Sequence, residues 1–120
     1  MTKTSKDKGD YGENTAVGYL AAKGYKVLAQ NYKSAGGEID IIALDGEYIV
    51  FVEVKYRRGT SFGDVAEAAT HGQTRRIIKT AKKYLYEQDK TAAPCRFDII
   101  EIFGNELLEI NHLENAFWES

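Results

Sequence analysis

The stretch Gly36-Gly37-Glu38-Ile39-Asp40-Ile41-Ile42-Ala43-Leu44-Asp45-Gly46-Glu47-Tyr48-Ile49-Val50-Phe51-Val52-Glu53-Val54-Lys55 sets two β-rich runs on either side of an Asp-Gly dipeptide. Asp-Gly between apolar, β-branched runs is the strongest short-range hairpin signal a chain carries. A two-residue turn at Asp45-Gly46 predicts that Leu44 faces Glu47, Ile42 faces Ile49, Asp40 faces Phe51 and Glu38 faces Glu53. Side chains alternate along a strand, and directly opposed residues share a face. One face then collects Ile39, Ile41, Ala43, Tyr48, Val50, Val52 and Val54, a core face. The other carries Ile42, Leu44, Ile49 and Phe51 near the turn, with Glu38, Asp40, Glu53 and Lys55 at the open end.

In this register Asp40 and Glu53 are diagonal neighbours, roughly 7 Å apart at their backbones. Two carboxylates so placed can share a divalent cation, since each oxygen reaches in to about 2.0–2.6 Å. The plainer alternative is a solvated strand end. Against it, Glu38 opposite Glu53 sets like charges across the ladder, which destabilises pairing and calls for a compensating cation, a metal or Lys55. A three-residue loop would instead turn one strand over and scatter the cluster.

Working outward, 120 residues bound the chain to one domain with a modest core. We expect residues 1–8, polar and Lys-rich, to form a mobile tail, and residues 9–120 to form the domain. A net charge of −2 argues against a generic, strongly basic nucleic-acid coat, without excluding a locally basic surface. The single Cys95 rules out an internal disulfide and fits a reducing compartment. No apolar run approaches the ~20 residues of a membrane span, and the first residues lack the apolar centre of a signal peptide. These features predict a cytoplasmic protein with no membrane partner.

Upstream of the hairpin, the pattern predicts a helix from about Tyr11 to Lys23, with Ala16, Val17 and Leu20 on one side and Gly24 as its stop. Glu13 belongs to the same inward stripe. It either closes an Asp10-x-x-Glu13 capping box or leans toward the carboxylate end of the sheet. Tyr25 to Tyr32 reads as a first strand. Downstream, Tyr56 to Asp64 reads as a loop beside the polar cluster, a usual place for substrate contacts. A second helix is expected over Gln73–Gln88. Its wheel gathers Ile77, Ile78, Ala81, Tyr84 and Leu85 on one arc and Arg75, Arg76, Lys79, Lys82 and Lys83 on the opposite arc. Solvation is the default for a charge run, but five cations without an acid among them also suit phosphate contact. Cys95–Phe103 and Glu106–Leu113 complete five strands, the fourth buried on both faces. The aromatics of the tail, Phe117 and Trp118, are expected to dock. The order α-β-β-β-α-β-β gives an α/β fold, a mixed five-stranded sheet flanked by helices in two or three layers.

An acid on the second strand, Glu-x-Lys on the third and a helix after it resembles the PD-(D/E)XK nuclease superfamily. More narrowly, Gly9-x-x-Gly12-Glu13-x-x-Ala16, Asn31-Tyr32, Gly37-Glu38-Ile39-Asp40 and Phe51-Val52-Glu53-Val54-Lys55 look like the YraN-like family of small bacterial predicted endonucleases. The resemblance runs from about Gly9 to Phe117. It implies a restriction-endonuclease-like core and endonuclease activity. Where the family commonly has Lys-Gln, this chain has Gln73-Thr74, so the helix glutamine is either lost to Thr74 or moved to Gln73.

Phosphodiester hydrolysis needs a nucleophilic water, neutralisation of the phosphoryl oxygens and help for the leaving oxygen. Asp40 and Glu53, with the backbone carbonyl of Val54, suit Mg²⁺ or Mn²⁺, hard ions that take oxygen ligands. Lys55 is placed to orient water or stabilise developing charge. Glu13 and Glu38 are further candidates, for another metal or for placing water. Arg57, Arg58, Gln73, Arg75, Arg76, Lys79 and Lys83 are expected to engage DNA. No base-reading element is apparent, so recognition of shape, of branched DNA or of single strands is expected. A homodimer would suit the cutting of two strands. The rival readings are a non-catalytic nucleic-acid-binding protein that retains the nuclease fold, and an assembly protein with a charged interface. His71 and His112 have no cysteine partners at zinc spacing and are expected to be structural or exposed.

Overall fold

The computed structural model describes residues 5–34, 36–57, 71–104 and 108–117. Its elements run in the predicted order: α1 (Ser5–Ala22), β1 (Lys26–Ser34), β2 (Gly37–Asp45), β3 (Tyr48–Arg57), α2 (His71–Glu87), β4 (Cys95–Gly104) and β5 (Leu108–Leu113). Helix α1 begins at Ser5, so it takes in part of the stretch expected as a tail; residues 1–4 lie outside the described ones. Strand β3 continues through Tyr56 and Arg57, which were expected in a loop, and the remainder of that loop, with Arg58, lies outside the described residues.

The strands form one sheet in the order β1-β2-β3-β4-β5. Every neighbouring pair is antiparallel except β3 and β4, which are parallel and joined by the crossover that contains α2. A parallel pair requires such a long connection, and the helix within it must cover the sheet. Helix α1 lays Ala16 and Leu20 on Ile41, Ala43, Val50 and Val52. Helix α2 lays Ile77, Ile78, Ala81, Tyr84 and Leu85 on Ile42, Ile49, Phe51 and Phe97, on the opposite face. The architecture is therefore three layers, with the sheet in the middle.

The hairpin differs from expectation in its turn. Asp45 pairs with Tyr48, Leu44 with Ile49 and Ile42 with Phe51, so Gly46 and Glu47 are the central residues. Gly46 takes φ +60° while Glu47 stays at negative φ, the pattern of a turn with glycine first. The register is therefore two residues from the predicted one. A slip of two preserves the faces, because the side-chain period is two. It does change the opposition: one step beyond Ile41↔Val52, Asp40 falls opposite Glu53, and Glu38 does not.

Two face assignments are also corrected. Ile39 packs with Ile42 under α2 rather than with Ile41 under α1. Asn31, between the Gln30↔Ile41 and Tyr32↔Ile39 pairs, adopts a left-handed φ of +52°, and the β1–β2 register shifts between Val27 and Ala29. Tyr48, expected on the core face, is 46% exposed beside the turn. Strand β4 is buried from Phe97 to Phe103, as predicted for a strand covered on both sides. Phe117 of the tail docks on Phe97 with ring centroids 5.1 Å apart; Trp118 lies outside the described residues.

Candidate functional site

A cavity of roughly 660 Å³ lies between the hairpin and the start of α2. Glu38, Asp40 and Glu53 line it from the sheet, Lys33 and Ser34 from β1, and Gln73, Arg76 and Ile77 from α2. Asp40 turns its carboxylate across to β3, where Oδ2 accepts the Val54 N–H at 2.8 Å. Glu53 Oε1 lies 3.2 Å from Lys55 Nζ and accepts from Gln73 Nε2 at 3.1 Å. Glu38, Asp40 and Glu53 thus line one cavity, and Lys55 is held on Glu53 beside it. Of the two alternatives, loss to Thr74 or a move to Gln73, the contact with Glu53 favours the move.

The electrostatics follow from this crowding. Burial pushes the Glu53 carboxyl up to about 7, and the negative charges of Asp40 and Glu38 push the same way against the nearby Lys55. Burial also raises Asp40, aided by Glu38 and opposed by the Val54 hydrogen bond and Lys55. The two half-buried carboxylates crowd one another and Glu38, and Lys55 offsets that repulsion only in part.

Among the described residues no three His, Cys, Asp or Glu side chains form a ready cage. Mg²⁺ does not ask for one, since it binds through one or two carboxylates and fills the rest of its shell with water and phosphate oxygens. Asp40 and Glu53 supply two such carboxylates, and the burial and repulsion that raise both favour a cation beside them.

Other candidates fall elsewhere. Glu13 is on α1, which packs on the opposite face, and it is not among the residues that line the cavity. Arg57 donates from Nε to Glu101 Oε2 at 2.8 Å, and that carboxylate is fully buried. Its charge is committed within the fold. Arg75, Lys79 and Lys83 are exposed along α2, and Arg76 is exposed at the cavity rim. His112 is structural as expected, with its Nε2 2.7 Å from the buried Asp98 Oδ2. Sequence reading missed Lys33, which pairs with Glu38 across β1 and β2 and so brings a cation to the cavity wall. The only signal was its place near the end of a strand next to Gly36-Gly37.

Fold and site together define a small three-layer α/β protein with an acidic cleft at the carboxyl end of a central strand, the usual position for a ligand site in an open α/β sheet. The chain belongs to the Uncharacterised protein family UPF0102, the YraN-like family, whose family model matches residues 12–102. It is 45% identical over 115 residues to a UPF0102 protein of Clostridioides difficile, covering 94% of this chain and 98% of that one. A UPF0102 protein of Persephonella marina is 46% identical over 110 residues, 92% of each chain. One from Clostridium perfringens is 42% identical over 120 residues, 98% of each.

Proposed function

We propose that this protein is a divalent-metal-dependent endonuclease that hydrolyses phosphodiester bonds of DNA, directed by structure rather than by base sequence. The observation that carries the reading is the convergence of Asp40, Glu53 and Gln73 on one cleft, with Glu53 bonded to Gln73 and paired with Lys55 beside it. Asp40 and Glu53, with the Val54 carbonyl and Glu38 beside them, are the residues to hold Mg²⁺ or Mn²⁺. When bound, such an ion supplies charge neutralisation and Lewis-acid polarisation of the phosphoryl oxygens.

The remaining chemistry belongs to the chain. Lys55 holds its ammonium against Glu53, where it can orient the attacking water and offset charge as it develops. Gln73 fixes the rotamer of Glu53 and leaves the second carboxylate oxygen for other work. Lys33 and Arg76 stand on the cavity wall, suited to the non-reacting phosphate oxygens. The position of Gln73 also favours an enzyme over a binding protein that merely kept the fold, since it supplies from one residue earlier the amide that Thr74 cannot.

The test is incubation of purified protein with branched, nicked and single-stranded DNA, with and without Mn²⁺. Cleavage that needs the ion and falls to background in Asp40→Ala and Glu53→Ala is the expected result. Cleavage that survives both substitutions removes the enzyme reading. Ion-dependent binding without cleavage of any substrate assigns the protein to the non-catalytic alternative.

A further inference from the structure

The outward face of α2 carries more than cations. Tyr86 is 75% exposed, and it stands in the middle of the basic arc. At 100° per residue, Arg75, Lys79, Lys82 and Tyr86 fall within roughly 60° of one another, with Lys83 and Arg76 along one side. An exposed tyrosine alone has no meaning. This one forms a wall of a groove of roughly 570 Å³ lined also by Lys79, Lys82, Lys83, Leu85 and Thr91, with no acid among them. Glu87, the acid that follows Tyr86, is held by a hydrogen bond from the Tyr32 hydroxyl on the sheet side.

The arc is continuous with the cleft. Arg76 lines the Asp40–Glu53 cavity, and Tyr86 lies ten residues further along the same helix, about 15 Å at the usual helical rise. A phosphate-binding row that starts at a candidate scissile site and ends on an aromatic ring is what an unpaired strand needs. Cations track its backbone, and a ring offers its π-face to a base of any identity. A duplex keeps its bases stacked inside and has no use for the ring.

We propose that α2 is a single-strand track: Lys79, Lys82 and Lys83 hold the phosphates of an unpaired nucleic-acid strand that leaves the cleft, and Tyr86 stacks on one of its bases. The proposal rests on the nucleic-acid reading above and deepens it by naming the strand state that the protein holds. Selectivity for single-stranded or branched substrate follows from it, because only those present an unpaired base at this distance from the cleft.

Fluorescence anisotropy in EDTA tests the track without cleavage. The probes are a labelled single-stranded DNA oligonucleotide, its duplex, an abasic strand of equal length and an RNA strand of the same sequence. Tyr86→Ala weakens single-strand binding about tenfold, leaves duplex and abasic binding unchanged, and Tyr86→Phe restores it. Lys79→Gln with Lys83→Gln weakens all probes and lowers the salt dependence. The RNA arm shows whether the track distinguishes the sugar. Equal single-strand affinity of Tyr86→Ala and wild type overturns the proposal, as does an equal loss on the abasic strand. Wild type that binds none of the probes overturns the nucleic-acid reading and the track together. A Tyr86 effect in a protein that cleaves nothing leaves the track standing and removes only the nuclease activity.

Discussion

Glu53 is asked to be charged by Lys55 and Gln73, and neutral by its burial and by Asp40. The second demand wins in the ion-free protein, where its carboxyl titrates at about 7 instead of near 4.5. The folded chain therefore holds a proton that the unfolded chain has already released. Stability from this group is complete below pH about 4.5 and is lost as pH rises through about 7. Thermal melts of the ion-free protein should show that decline. Glu53→Gln should be more stable than wild type above pH 7 by on the order of 1–3 kcal/mol, with the difference vanishing toward pH 4.5. Added Mg²⁺ or Mn²⁺ should raise the melting temperature more at pH 8 than at pH 5.5, because the ion takes the deprotonated pair. Lys55→Ala should retain that ion-induced rise while cleavage falls on the order of 10²–10³-fold.

At the scale of elements, the cleft exists because α2 is held close to the beginning of β2. Thr80 is fully buried and donates to the Arg76 carbonyl at 2.8 Å, a bond within its own helix, with the Ser34 carbonyl of β1 at 3.2 Å. Gly37 makes the approach feasible. A Cβ there would overlap Thr80 Oγ1 and crowd the Arg76 carbonyl at 3.1 Å. Gly37→Ala should therefore push the helix off the cleft, costing about 1–3 kcal/mol in denaturant unfolding and weakening divalent-ion binding. Gln73→Ala should leave stability nearly unchanged but weaken ion binding about 10–100-fold by calorimetry, since it frees the Glu53 rotamer. If Gln73→Ala binds the ion as wild type does, the bond to Glu53 has no part in the site.

At the scale of the molecule, a second polar centre on the opposite side of the sheet ties β4 to the chain ends. Asp98 is fully buried, yet its carboxyl is held below the ordinary range. Burial alone would raise it. Hydrogen bonds from His112, from Arg96 and from the Asn115 N–H outweigh that effect. Arg96 also reaches Asp45 at the hairpin and the Tyr25 hydroxyl after α1. The sign here is opposite to that of Glu53: the stability that Asp98 contributes is present above its ordinary pKa and is lost as pH falls. Asp98→Ala strands Arg96 in a largely buried position and should cost about 3–5 kcal/mol. Below its lowered melting temperature that variant should still bind divalent ions, which separates this structural centre from the cleft.

How much was legible depends on the range over which each feature is decided. The hairpin, the two helices and most of the face partition were readable, because they follow from periods of two and 3.6 within a dozen residues. Even the misplaced turn left Asp40, Glu53 and Lys55 on one face, since moving the turn by one residue shifts the register by two. What lay beyond the sequence were the meetings between segments. Ile39 changed face near the left-handed backbone at Asn31 on the neighbouring strand. Arg57 read as a phosphate contact until the parallel register of β3 and β4 set it beside Glu101. Gln73 reached Glu53 only because the crossover docks α2 with its first turn over the open end of the hairpin. The acidic pair was therefore written in local alternation, whereas its depth, its raised titration and its helix partner came from packing distant segments around it, which no local pattern encodes.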